Sequence, residues 1–233
     1  MHARTRLAGR PQLRTIGVAL RAMALGTLVL GIGYPLLITG VAHLVAPAQA
    51  AGSLVSGPDG DVVGSSLIGQ SFADADGAPL PEYFQPRPSA AGDGYDAAAS
   101  SGSNLGPENP DLVAAVEQRR ADIAAFEGVP ESAVPADAVT ASASGLDPHI
   151  SPAYARIQAE RVAAARGLDV GEVLDLVAAH TRAADLGFLG QPRVNILELN
   201  VALDATHPVQ AAGAGLDAGR NGQPGAAPAE TEE

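Results

Sequence analysis

The sequence predicts a mixed α/β (α+β) domain carried on a single N-terminal membrane helix, and three observations predict it. The first is a run of 24 residues, Ala22 to Val45, with no Asp, Glu, Lys or Arg. The second is the succession of strand-like segments, turn residues and helix start signals after residue 46. The third is a closing segment, Ala205 to Glu233, with too few large apolar side chains to order itself, so a disordered tail is expected. The 233 residues suffice for one domain with a real core plus accessory segments. They divide into an Arg-rich start (1–21), the span (22–45), the domain (46–204) and the tail (205–233).

At about 1.5 Å per residue the span is roughly 36 Å long, enough to cross a hydrocarbon core of about 30 Å with some tilt. All 14 basic residues are Arg, and five of them (Arg4, Arg6, Arg10, Arg14, Arg21) precede the span. The positive-inside rule then places the N-terminus in the cytoplasm and everything after residue 46 outside, in a single-pass protein of the inner or plasma membrane. Ala48-Gln49-Ala50 also fits a signal-cleavage site, but a signal's apolar region is only about 7–15 residues long. The absence of cysteine fits an exported protein that does without disulfides. Gly26, Gly33 and Gly40 recur every seven residues, close to one helix face, where a second helix could approach. Pro35 should kink the span or free a carbonyl, and His43 should reach the interface.

Beyond the span, nine Arg stand against all 26 acidic residues, a net charge of −17. Such a surface repels phosphate and excludes nucleic acid as a partner, while it would concentrate cations. Ser53–Val55 and Val62–Ile68 read as strands of a hairpin around Gly57-Pro58-Asp59-Gly60. Residues 73–108, rich in Gly, Ser, Pro and Asp, read as a long loop. About three helices follow. The first has Asn109 as N-cap and Pro110 at its first position and runs to about Phe126, with Leu112, Val116 and Ile123 on one face. The second has Ser151 as N-cap, ends at Arg166 and is closed by Gly167. The third opens on Asp169 with Glu172 and runs to about His180. Arg193–Leu203, with Val194, Ile196, Leu199 and Val201 alternating imperfectly, is expected to be the longest strand. Its Asn195, Glu198 and Asn200 would face a wetter side or the loops.

Two motifs are dense in chemistry. "ASGLDPHISP" (143–152) strings together Asp147, His149 and Ser151, the residue types of a nucleophilic triad. It shows no nucleophile elbow, and a single His gives no metal-ligand spacing. As a turn feeding a helix it needs no chemistry, and a capping role alone predicts that Ser151→Asp is tolerated. "SSGSNLGPENP" (100–110) offers Gly and Ser backbone ahead of a helix, where Ser103, Asn104 and Gly106 are the candidates to meet an anion. Without lysine it is no P-loop.

"GYPLLITG" (33–40), "PAQAAGSLV" (47–55), "SSLIGQSF" (65–72), "YFQPRPSA" (83–90), "YDAAASSGSNLGPENPDL" (95–112), "TASASGLDPHISPAYARIQAERVAAARG" (140–167) and "HTRAADLGFLGQPRVNILELNVALD" (180–204) occur in that order. Together they resemble the C subunit of Kdp-type potassium-transporting P-type ATPases. The resemblance covers about residues 30–204 and carries with it, as motif positions, Ser100, Gly102, Asn104, Asn109, Asp147, His149, Ser151, Arg161, Arg193 and Asn195. The chain departs from the family at Gln85-Pro86, where Trp-Gly is usual, and at Ala143, where Gly is. The resemblance implies a single-span, non-catalytic subunit with an extracytoplasmic α/β domain. It implies as partners a channel-like potassium-binding subunit, the P-type ATPase subunit and a very small membrane subunit, all in the bilayer. It also implies a catalytic chaperone that raises the ATP affinity of the ATPase subunit, with ATP as the associated nucleotide. The sequence itself requires no cofactor or metal. Two other readings stand beside it: an anchored hydrolase using Asp147, His149 and Ser151, and a binding module secreted after Ala50.

Overall fold

The computed structural model describes residues 9–208, which fall into two compact units divided after Ser53. The first is a helix in three parts: α1 (Gly9–Gly26), a π-helical segment (Thr27–Gly33) and α2 (Tyr34–Val45), followed by the short α3 (Pro47–Ala50). Arg14–Val45 is long and apolar enough to cross a membrane, and none of it is buried. The helix therefore begins before Ala22 and takes in Arg14 and Arg21 as well as the predicted span. The π-helical segment lies directly ahead of Pro35, and the Tyr34 N–H reaches back to the Val29 carbonyl. A π turn holds about one residue more than an α turn. The seven-residue spacing of Gly26, Gly33 and Gly40 thus runs through a π-helical segment between the first two. Open space surrounds the Cβ positions of Gly26 and Gly40.

The second unit opens with the predicted hairpin, β1 (Leu54–Ser56) against β2 (Val62–Ser65), closed through Gly57 N–H to the Asp61 carbonyl at 2.8 Å. The second strand stops three residues short of expectation, at a turn. Residues 66–109 run without a named strand or helix. Then come α4 (Pro110–Glu127), a 3-10 turn (Glu131–Ala133), α5 (Ala136–Val139), β3 (His149–Ile150), α6 (Pro152–Arg166), α7 (Val170–Ala179), β4 (Thr181–Arg182), β5 (Arg193–Asn195) and α8 (Ile196–Thr206). β5 lies between β3 and β4, antiparallel to both. The three predicted N-caps hold: Asn109 accepts from Asp111 and Leu112, Ser151 from Tyr154, and Asp169 from Gly171. Gly167 closes α6 in the left-handed conformation.

The expected long strand is overturned. Only Arg193–Asn195 is extended, and Ile196 starts α8, a fourth substantial helix. The side chain of Asn195 accepts from the Glu198 N–H at 3.1 Å, so Asn195-x-x-Glu198 is a helix start. Burial follows the helical period, with Ile196, Leu199, Asn200, Leu203 and Asp204 inside. Asn195 and Asn200 are 3% and 0% exposed and face not water but the loops, the other surrounding expected for them, bonding the carbonyls of Ser66 and Phe84. The core gathers Phe84, Val139, Val162, Val173, Val194, Leu197, Leu199 and Leu203 between α6, α7, α8 and β5. The start before Gly9 and nearly all of the predicted tail lie outside the described residues.

Candidate functional site

Asp147, His149 and Ser151 are neighbours in the structure but do not form a relay. The Asp147 carboxylate accepts from the backbone N–H of His149 at 3.0 Å, stands 3.2 Å from its Nδ1, and accepts from Arg87 Nη1 at 2.9 Å. Burial pushes this carboxyl up, but the His149 ring and backbone N–H together with the Arg87 guanidinium outweigh it and hold the pKa below the ordinary 3.8. The Ser151 hydroxyl points elsewhere. It donates to Asp137 Oδ1 at 2.8 Å, while the Ser151 backbone N–H donates to Oδ2 of the same carboxylate at 2.7 Å. No hydrogen bond joins His149 to Ser151 among the described residues, so His149 is not placed as a base for the Ser151 hydroxyl. Arg87 also donates to the Thr140 carbonyl at 3.2 Å, and its Nε, buried, meets no partner among the described residues. Beside it lies an open depression of about 580 Å³ lined by Leu67, Ile68, Ser144 and Leu146.

Residues 100–104 dock on the same loop. Ser101 N–H and Ser100 Oγ both donate to the Ser144 carbonyl, at 3.0 and 2.9 Å. The backbones approach so closely that a Cβ on Gly102 would stand 2.8 Å from the Ala143 carbonyl, and one on Gly145 2.6 Å from that of Ser101. Ser103, Asn104 and Gly106 are exposed. Asn104, at φ 54°, turns its amide onto the Gly102 carbonyl, and the Gly106 carbonyl accepts from the Asn109 N–H. Tyr95 seals the inner side, its hydroxyl donating to the Arg87 carbonyl at 2.6 Å, and burial raises its pKa.

A third arrangement was not legible in the sequence. The segment Pro81–Gln85 crosses α6 and α8 without a partner strand, and side chains serve its carbonyls in turn. Arg161 donates to Pro81 and Tyr83, Arg166 to Glu82, Asn200 to Phe84 and Gln158 to Gln85. The amides of Asn200 and Gln158 also accept the N–H groups of Phe84 and Gln85, at 2.9 and 2.6 Å. Arg161 gives its remaining donors to Glu127 and Gln158 and lies 4.5 Å over the Phe126 ring. Arg166 pairs with Asp204 at 2.8 Å and stacks 4.8 Å over Tyr83. Burial pushes the Glu127 carboxyl up despite Arg161, and burial, then Asp204, push the Tyr83 hydroxyl up to about 12. Gln85, at the departure from the family motif, caps the carbonyls of Phe72, Leu80 and Tyr83 with its own amide. Arg193 pairs with the exposed Asp185, and Asn195 Nδ2 ties the Ser66 carbonyl behind the hairpin to the start of α8.

The family model of the K+-transporting ATPase c chain, KdpC, matches residues 16–205. That stretch includes the apolar helix, the loop pinned by α6 and α8, and nearly all of the domain. The chain belongs to the KdpC family. A "Potassium-transporting ATPase KdpC subunit" of Beijerinckia indica is 57% identical over 198 residues, 85% of this chain and 97% of the relative. Proteins of the same name from Caulobacter vibrioides and Kineococcus radiotolerans are 56% and 55% identical, covering 82% and 84% of this chain and 92% and 96% of theirs. In this KdpC chain the motif residues split by what they touch. Ser100, Gly102, Asn104, Asp147, His149 and Ser151 belong to the loops around residues 100–104 and 143–151, Asn109 caps α4, Arg161 and Asn195 are anchors of the core, and Arg193 opens β5, where it pairs with Arg182 of β4.

Proposed function

We propose that the chain is a non-catalytic subunit of a high-affinity, ATP-driven potassium-import complex, where it holds the channel-like and ATPase subunits together. What supports this reading is that the family match takes in the span-length apolar helix and the folded domain as one stretch. Among the described residues the helix presents large apolar side chains that nothing covers: Leu30, Leu36, Leu37 and Leu44 are each more than 60% exposed. The Gly33–Gly40 face is the proposed contact for a helix of a partner subunit. The five N-terminal Arg orient the chain N-in, with the domain outside the cell membrane.

The rise in ATP affinity that belongs to this reading is transmitted through subunit contact. An acidic, lysine-free domain repels a triphosphate, and the hydrogen bonds of Ser101 and Asn104 close on their own loop. The test is co-expression with the other subunits. The chain should co-purify with a potassium-stimulated ATPase, and the isolated chain should not retain ATP in equilibrium dialysis. A cysteine at Ser53 should react with an impermeant reagent on intact cells and one at Thr5 should not. Purification of the ATPase without the chain, or the reverse labelling pattern, refutes the respective half of the reading.

A further inference from the structure

The chain has four Phe, and Phe188 alone among them stands in solvent, at 75% exposure. Beside it Leu186 is 82% and Leu189 50% exposed. All three sit on a tight hairpin tip between β4 and β5. The tip is closed by the Asp185 N–H to the Leu189 carbonyl at 2.9 Å and by the return bond at 2.8 Å. Leu186 is held at φ 54° and Gly187 at 81°. A leucine in the left-handed region is unfavourable, and here its side chain gains no burial from it. The tip is thus a rigid apolar projection with no role in the domain's own core.

We propose that the Leu186–Leu189 tip is the anchor by which the domain docks into an apolar pocket of another subunit of the transport complex, a protein surface with a neutral or basic rim. This deepens the assembly role above and rests on it. Charge selects a protein over a lipid surface. The arginines bracketing the tip each stand beside a carboxylate, Arg193 beside Asp185 and Arg182 beside Glu198, so the tip carries no excess positive charge to draw anionic headgroups. The domain behind them is acidic and would be repelled by such a bilayer. A partner with a neutral or basic rim accepts both the acidic surroundings and the apolar tip. A large aromatic side chain presented on a backbone turn closed by two hydrogen bonds suits an interface anchor.

The test uses the whole complex and the full chain. Phe188→Ser, and separately Leu186→Ser, should cut the ATPase retained with the chain in mild detergent about tenfold or more. Phe188→Leu should restore most of it. Melting of the isolated full chain should not change, because none of the three side chains is buried. The chain has no cysteine, so Ala183→Cys can carry a single polarity-sensitive dye beside the tip. Its emission should shift to the blue when the other subunits are added, and not when the full chain alone is placed in nanodiscs with anionic lipid. Retention unchanged in Phe188→Ser overturns the proposal while leaving the assembly role intact. A blue shift in the lone chain overturns it in favour of the bilayer. Failure of the wild-type chain to co-purify at all removes the assembly reading itself.

Discussion

Replacement of Ser151 by Asp separates a mere helix cap from the linkage this structure contains. As a cap, Asp serves about as well as Ser. Here, however, Ser151 Oγ both accepts from the Tyr154 N–H at 3.0 Å and donates to Asp137 Oδ1 at 2.8 Å. Ser151→Ala loses the cap, about 1 kcal/mol, and one hydrogen bond to a charged acceptor, about 1.5 kcal/mol at the low end. The low end applies because Asp137 is only half-buried and keeps the Ser151 backbone N–H. Together these come to about 2.5 kcal/mol. Ser151→Asp keeps the cap but sets a second carboxylate against the first. Like charges about 4 Å apart at an effective dielectric of about 20 repel by about 4 kcal/mol, which half-exposure and salt reduce to roughly 2 kcal/mol. With the lost donor, the Asp variant is destabilised by about 3–4 kcal/mol. For a domain of this size each kcal/mol moves the midpoint by about 2–4 °C. Far-UV circular dichroism melts of the purified full chain should therefore rank wild type above Ser151→Ala above Ser151→Asp. Adding Asp137→Asn to Ser151→Asp should recover most of the loss. An Asp variant that melts with wild type, or a double variant no better than the single, refutes the argument.

Asn200→Leu leaves both backbone groups of Phe84 unpaired at a site 0% exposed, costing about 2–6 kcal/mol, and amide exchange at Phe84 and Gln85 should accelerate accordingly. Gly145→Ala should pry the 100–104 segment off its loop, because the new Cβ meets the Ser101 carbonyl at 2.6 Å; limited proteolysis should then cut within residues 100–109. Gly128→Ala, at the same φ of 69° but with open space around it, should leave that segment protected. In alkali, the Tyr83 pKa of about 12 lies above its unfolded 10.0. The neutral hydroxyl therefore contributes stability that is complete below pH 10.0 and is lost as pH rises through about 12. Ultraviolet titration should show Tyr83 ionising together with unfolding, and Tyr83→Phe should flatten that part of the stability profile.

Local signals were legible where the physics is local. Asn109, Ser151 and Asp169 cap their helices because a short polar side chain followed by a helical run satisfies nearby N–H groups whatever the tertiary context. The hairpin turn at Gly57–Asp61 is local for the same reason. α8 was misread because Val194 and Ile196 imitate strand alternation just where Asn195-x-x-Glu198 starts a helix, and the cap carried the stronger physical warrant. The knot around residues 143–152 was legible as a turn feeding a helix. The partner of Ser151, Asp137, was not, since nothing in the spacing marks a carboxylate on α5 as the acceptor. Still less legible were Gln158 and Asn200, whose backbone partners lie 73 and 116 residues earlier.

Those long-range pairs explain how a domain with so little sheet holds a loop of this length in its core. Residues 81–85 carry five consecutive carbonyls, and a strand there would hand them to a neighbouring strand. α6 does much of that work instead, with Gln158, Arg161 and Arg166 reaching the carbonyls of Gln85, of Pro81 and Tyr83, and of Glu82. α8 adds Asn200 for Phe84. Arg161 uses every one of its N–H donors: Nε on Glu127, Nη1 on Pro81 and Tyr83, Nη2 on Glu127 and Gln158. A lysine, with three donors on a single nitrogen, cannot reach acceptors on three sides at once. Removing the guanidinium would leave Glu127, whose side chain is 1% exposed, charged and alone. The motif "YARIQAERVAAARG" thus encodes a frame for the loop. Among the described residues the most deeply buried polar side chains, Gln158, Asn200 and Asn195, all hold backbone carbonyls.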